Sequence, residues 1–172
     1  MCSSDLAAPA VALATDTGSS STDKVTNVGT LAVTGTETGA TVEYSTDGSS
    51  WSTTAPALAQ GSNTVQVRQT DVAGNVSQAT SFTFTYDTEA AAPTVALATD
   101  TGSSSTDKVT NVGTLAVTGT ETGATVEYST DGSSWSTTAP ALAQGSNTVQ
   151  VRQTDVAGNV RDRKSTRLNS SH

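Results

Sequence analysis

The sequence predicts an all-β chain built as tandem antiparallel β-sandwiches, the second lacking its last strand. Three observations carry this. The chain repeats itself almost perfectly, apolar and polar residues alternate with period two inside each repeat, and clusters of Gly, Asn, Asp and Ser separate the alternating runs. Val11–Val76 recurs residue for residue as Val95–Val160, an offset of 84. Upstream, Ala7-Ala8-Pro9 matches Ala91-Ala92-Pro93, and Ala10 stands against Thr94. One period therefore runs from about Pro9 to Ala92.

The elements follow in order within the first period. In AVALAT, Val11 and Leu13 share one face, which predicts a strand over 10–15. In TLAVTG, Leu31 and Val33 do the same over 29–35. In ATVEYS, Val42 and Tyr44 face one way while Thr41, Glu43 and Ser45 face the other, a strand over 41–46. Asp47-Gly48 then signals a tight turn into a short strand over 50–53. Another short strand is expected over 56–59. NTVQVRQT turns Val65 and Val67 inward and Gln66 and Arg68 outward, a strand over 63–70. TSFTFTYD aligns Phe82, Phe84 and Tyr86 on one face of a strand over 79–86. Seven short strands in about 84 residues argue for an Ig-like sandwich. Trp51 is expected to cover one edge of its core, and no long stretch carries a helical stripe.

The second copy stops matching after Val160, where SQATSFTFTYDTEA gives way to RDRKSTRLNSSH. The tail offers Arg163, Ser165 and Arg167 on one face of a strand, or Asp162, Lys164 and Thr166 on the other. Neither set is apolar. Burial of a large apolar side chain is worth about 1.5–3 kcal/mol, so losing Phe82, Phe84 and Tyr86 would remove most of a small domain's stability. Residues 93–160 are therefore expected to be marginal or unfolded. Both ends are foreign to the repeat. DRKSTRLNSSH and, at the front, CSSDL resemble translated sequencing-library adapters, so residues 1–6 and 161–172 are set aside as adapter-like scars. The expected domains are a complete repeat over 7–92 and a truncated one over 93–160. Cys2, His172 and the sequon Asn169-Ser170-Ser171 fall in the scars and carry no functional expectation.

Charge narrows the function. Asp plus Glu number 16 against 8 Lys plus Arg, a net charge of −8. Without the terminal stretches, four bases oppose fourteen acids, a net charge of −10. Such a surface repels phosphate backbones and anionic lipid, so neither nucleic acid nor direct membrane contact is expected. No apolar run reaches the length of a membrane helix, and MCSSDL has neither a basic start nor an apolar segment of a signal peptide. Catalysis finds no support: the single His and single Cys lie in the scars, and no Gly-rich phosphate loop follows a strand.

YSTDGSSW, GSNTVQVRQTDVAGNVS and FTYDTEAAAP together resemble the bacterial Ig-like repeats of giant surface adhesins and biofilm-associated proteins. The resemblance covers residues 9–160, most specifically TDVAGN followed one strand later by YDT and an Ala-Pro linker. It implies a secreted or cell-surface stalk whose partners are neighbouring repeats of the same chain, with the adhesive ligand lying elsewhere. It also implies calcium at repeat junctions. Ca²⁺ takes six to eight oxygen ligands, and the loop between sixth and seventh strands lies at the end where the chain enters a sandwich. Asp155 and Asn159, with Glu121 at the same end, are thus expected to meet Asp87 and Glu89 of the linker. At the first copy's entrance the matching groups are Glu37, Asp71 and Asn75, where Ser3 stands in Asp87's place. The alternative for Asp71 and Asn75 is turn formation alone. Asp16, Asp23 and Asp47 are expected to shape turns at the opposite end.

The function this composes is a non-catalytic spacer. The rival is a carbohydrate-binding module, in which Trp51 and Trp135 would stack on sugar rather than pack over their own sandwiches.

Overall fold

The computed structural model describes residues 5–163 and 167–170. Cys2, Ser3, Lys164, Ser165, Thr166, Ser171 and His172 lie outside the described residues. The chain divides into two compact units, residues 1–88 and 89–172, so the linker residues 89–92 go with the second. Among the described residues every regular element is a strand.

The first unit holds β1 (Ala10–Leu13), β2 (Val25–Thr26), β3 (Leu31–Thr34), β4 (Thr41–Ser45), β5 (Gly61–Thr70) and β6 (Thr80–Tyr86). β1 and β3 pair antiparallel as one layer, and the other layer runs β2-β6-β5-β4. The period-two alternation decides what lies between the layers. Val65, Val67 and Phe84 are buried at the centre, with Val11, Leu13, Leu31, Val33, Val42, Tyr44, Leu58, Phe82 and Tyr86 packed around them. The outward partners Ser81 and Thr83 are exposed.

Local chemistry departs from the expected strands in three places. The 50–53 segment makes a single bridge, Ser52 to Tyr44, with backbone bonds of 2.7 and 3.0 Å. The 56–59 segment forms no strand. The Asn63 side chain caps it instead, accepting from the Ala59 amide and donating to the Ala59 carbonyl. The third departure is β2, too short for an alternation to reveal. It is anchored by the buried Thr26, whose hydroxyl lies within 3.0–3.3 Å of Thr15, Thr17 and Val28, and it runs parallel to β6.

The second unit holds β7 (Thr94–Leu97), β8 (Val109–Thr110), β9 (Leu115–Thr118), β10 (Thr125–Ser129), β11 (Gly145–Thr148), β12 (Gln150–Thr154), β13 (Val160–Arg163) and β14 (Arg167–Ser170). β7 pairs with β9, β12 lies between β10 and β13, and β14 lies between β11 and β8. The tandem Ig-like sandwich class holds, and the second copy lacks the repeat's own last strand, TSFTFTY, with a tail segment lying in its place. β14 occupies the last-strand position. Asn147 faces Leu168 where Asn63 faces Phe84, and Val109 faces Asn169 where Val25 faces Thr85. The physical reason is Leu168, the apolar residue beyond the six tail positions weighed above, which is buried to 2% exposure.

Described residues of both terminal stretches take part in the fold. Leu6 is buried, and Arg161, Asp162 and Arg163 pair with Gln153, Arg152 and Val151.

Candidate functional site

The entrance end of each unit is organised by a glutamine rather than a carboxylate. Gln69 and Gln153 are the inward-facing residues next to the ends of β5 and β12, and both are fully buried. In the first unit the Gln69 amide donates to the carbonyls of Ala7 (2.7 Å) and Gly35 (3.3 Å). Its oxygen accepts from the Glu37 amide at 2.8 Å. Gln153 repeats this with Ala91 (2.6 Å), Gly119 (3.3 Å) and Glu121 (3.0 Å). Each glutamine thus ties the incoming chain to the turn between two strands, satisfying backbone groups that burial would otherwise orphan. Sequence reasoning passed over both. The signal was a polar residue at an inward position of an otherwise apolar alternation.

Asp71 and Asn75 close a turn. The Asn75 amide donates to Asp71 Oδ1 and Asn75 Nδ2 donates to Asp71 Oδ2, both at 2.8 Å. The Asp71 amide meets the Asn75 carbonyl at 3.0 Å, and Gly74 takes the left-handed φ of 91° that the turn needs. These bonds, the Asn75 side chain first, hold the Asp71 carboxyl below the usual carboxylate range. Asp155 and Asn159 form the same ring at 2.8 Å for both bonds. The structure therefore displays the turn role of these four residues.

The other candidates sit around these turns. Glu37 is exposed, and its carbonyl accepts from the Ala40 amide at 3.1 Å. Glu121 accepts from the Ala91 amide through Oε1 at 2.8 Å, a bond of the incoming chain to the second unit. Asp87 lies just past β6 in the first unit, where its amide donates to the Thr26 carbonyl at 2.9 Å. Glu89 is exposed in the second. Within each unit, among the described residues, no three His, Cys, Asp or Glu side chains converge on a point.

The opposite ends carry the turn chemistry expected there. Asp47 Oδ1 accepts from the Ser49 and Ser50 amides at 2.8 and 2.7 Å, and Ser45 Oγ accepts from the Gly48 amide. The Ser50 and Ser49 amides, with smaller contributions from serine hydroxyls, hold Asp47 well below the usual carboxylate range. Asp131 is held down in the same way by the Ser134 and Ser133 amides. Asp16 accepts from the Lys24 amide at 2.9 Å and Asp23 from the Val25 amide at 3.0 Å.

Trp51 stands outside the core it was expected to cover. The Arg68 guanidinium lies 4.1 Å from its ring centre and is also paired to Glu43 at 2.9 Å. Trp135 has Arg152 at 4.4 Å, with Glu127 at 2.7 Å. The cause is the alternation itself: Arg68 points away from Val67, and the indole follows the cation onto the outer face of the sheet.

The bacterial Ig-like domain family matches residues 4–88 and again residues 89–169. No curated protein matches the chain.

Proposed function

The chain belongs to the bacterial Ig-like domain family, in two tandem copies, and from that premise we propose that it serves as a non-catalytic spacer in a secreted or cell-surface adhesin. The observation that carries this proposal is the duplication of complete structural parts. Each unit has its own buried residues and its own glutamine fastening the incoming chain, so copies can be added without redesigning either sandwich. Surface placement is part of the proposal. So is the resemblance of both termini to adapter sequence, which a long DNA read across both ends would decide.

Calcium at the repeat junctions belongs to the same proposal. Asp87, Asp155, Asn159 and Glu121 offer hard oxygen donors, the chemistry Ca²⁺ selects. Bound there, the ion would supply charge neutralisation and stiffness rather than chemistry. The corresponding donors at the first unit's entrance are Glu37, Asp71 and Asn75. Calcium titration of the chain, followed by thermal unfolding and by tryptophan anisotropy, tests this directly. A rise in melting temperature reversed by chelator is expected, whereas an unchanged profile at millimolar calcium would remove the metal from the proposal.

The carbohydrate alternative has less support. One face of each indole is taken by an arginine that is itself ion-paired, which favours packing over stacking on sugar. Sugar-dependent shifts in tryptophan emission would reverse that preference.

A further inference from the structure

The last-strand groove of the second unit is made of the same residues as that of the first. β8 repeats β2, and β11 repeats the first four residues of β5. In the first unit this groove takes TSFTFTY. Phe84 is buried to 2% exposure, and Phe82 and Tyr86 pack against the same core. In the second it takes RLNS, with Leu168 in the place of Phe84 and Ser170 in the place of Tyr86.

The glycine that faces the Tyr86 ring in the first unit is repeated in the second. A Cβ on Gly29 would lie 2.0 Å from Leu58 Cδ1 and 3.3 Å from the Tyr86 ring. The matching residue in the second unit is also glycine, and the nearest atoms to a Cβ on Gly113 belong to Leu142. The receiving strands thus repeat the sequence that takes Phe82, Phe84 and Tyr86 in the first unit, while the strand lying between them brings one leucine.

We propose that the groove between β8 and β11 is a strand-accepting site. Its ligand is an extended segment of the type Phe-x-Phe-x-Tyr, supplied in trans as the last strand of another repeat, and it displaces β14. Backbone pairing does not discriminate between the two strands, because either one runs antiparallel to β11 and parallel to β8. Side chains decide. The incoming strand replaces a leucine by a phenylalanine and adds two aromatic rings that the first unit buries in part, full burial of one such ring being worth about tenfold or more in binding. Against this stands the tether, which holds β14 at an effective concentration on the order of millimolar.

The test is titration of a labelled synthetic peptide, SQATSFTFTYD, with the full chain, combined with hydrogen exchange. The readout uses the two last-strand segments, whose sequences differ between the units. Saturable one-to-one binding is expected, with Arg167–Ser170 losing protection while Thr80–Tyr86 keeps it. A peptide carrying Phe82→Asp and Phe84→Asp should bind at least about tenfold more weakly. Leu168→Asp in the chain should tighten the natural peptide by about tenfold or more, because it weakens the competitor. If that variant loses the second unit altogether, the two peptides titrated into the unmodified chain still decide the matter. Absence of saturable binding, retained protection at Arg167–Ser170, or loss of protection at Thr80–Tyr86 would each overturn the proposal.

Discussion

At the scale of single residues, the entrance of each unit depends on an uncharged side chain. Gln69 satisfies two carbonyls and one amide in a fully buried position. Gln69→Leu keeps most of the volume and orphans all three partners. A destabilisation of about 2–4 kcal/mol is expected, measured by urea unfolding of the chain. The aspartates of the tight turns give a second prediction. The folded pKa of Asp47 is depressed relative to the unfolded chain, so its contribution is present above the ordinary carboxylate pKa of about 4 and is lost as pH falls below it. Asp131 acts with the same sign, as does Asp71. Thermal midpoints should therefore fall on acidification from about pH 4, and Asp47→Asn with Asp131→Asn should flatten that fall.

Strands are where the two identical sequences part company. β6 runs for seven residues and buries Phe84 among valines of β5, with Phe82 stacked 5.7 Å from it. β14 runs for four residues around Leu168. Phe84→Ala should cost the first unit about 3–5 kcal/mol, and Leu168→Ala about 2–5 kcal/mol in the second. Relative to what each unit has to lose, the second change should be the more damaging, because no aromatic neighbours on its last strand remain to hold the register. Differential scanning calorimetry of the two variants would resolve which transition disappears.

For the whole molecule, the division at residues 88 and 89 implies separate cooperative unfolding. Two thermal transitions are expected. The lower belongs to the second unit, since Thr80–Tyr86 has no counterpart of equal apolar content after Val160. A single sharp transition in calorimetry would contradict this. Duplication also carries a hazard, because identical neighbours can trade strands during folding. Rapid refolding should therefore give more dimer and aggregate than slow refolding, as read by size-exclusion chromatography.

The sequence by itself determined the class, the period and the inward faces. Period-two alternation is a local property, and Val65, Val67, Phe82, Phe84 and Tyr86 could be assigned to one side before any layer was placed. The turn at Asp47-Gly48 was equally legible, since its bonds span only a few residues. What only the tertiary structure decided depends on partners far apart in the chain. Gln69 is meaningful because Ala7 stands 62 positions away from it in sequence. Trp51 faces outward because Arg68, on a different strand, is there to receive it. Leu168 could become a core residue because the groove between β8 and β11 was already shaped by the rest of the repeat. A tail is judged polar by its own composition, but a strand is made by the ladder that accepts it. One buried side chain in the correct register was enough to hold a four-residue strand where seven residues pair in the first unit.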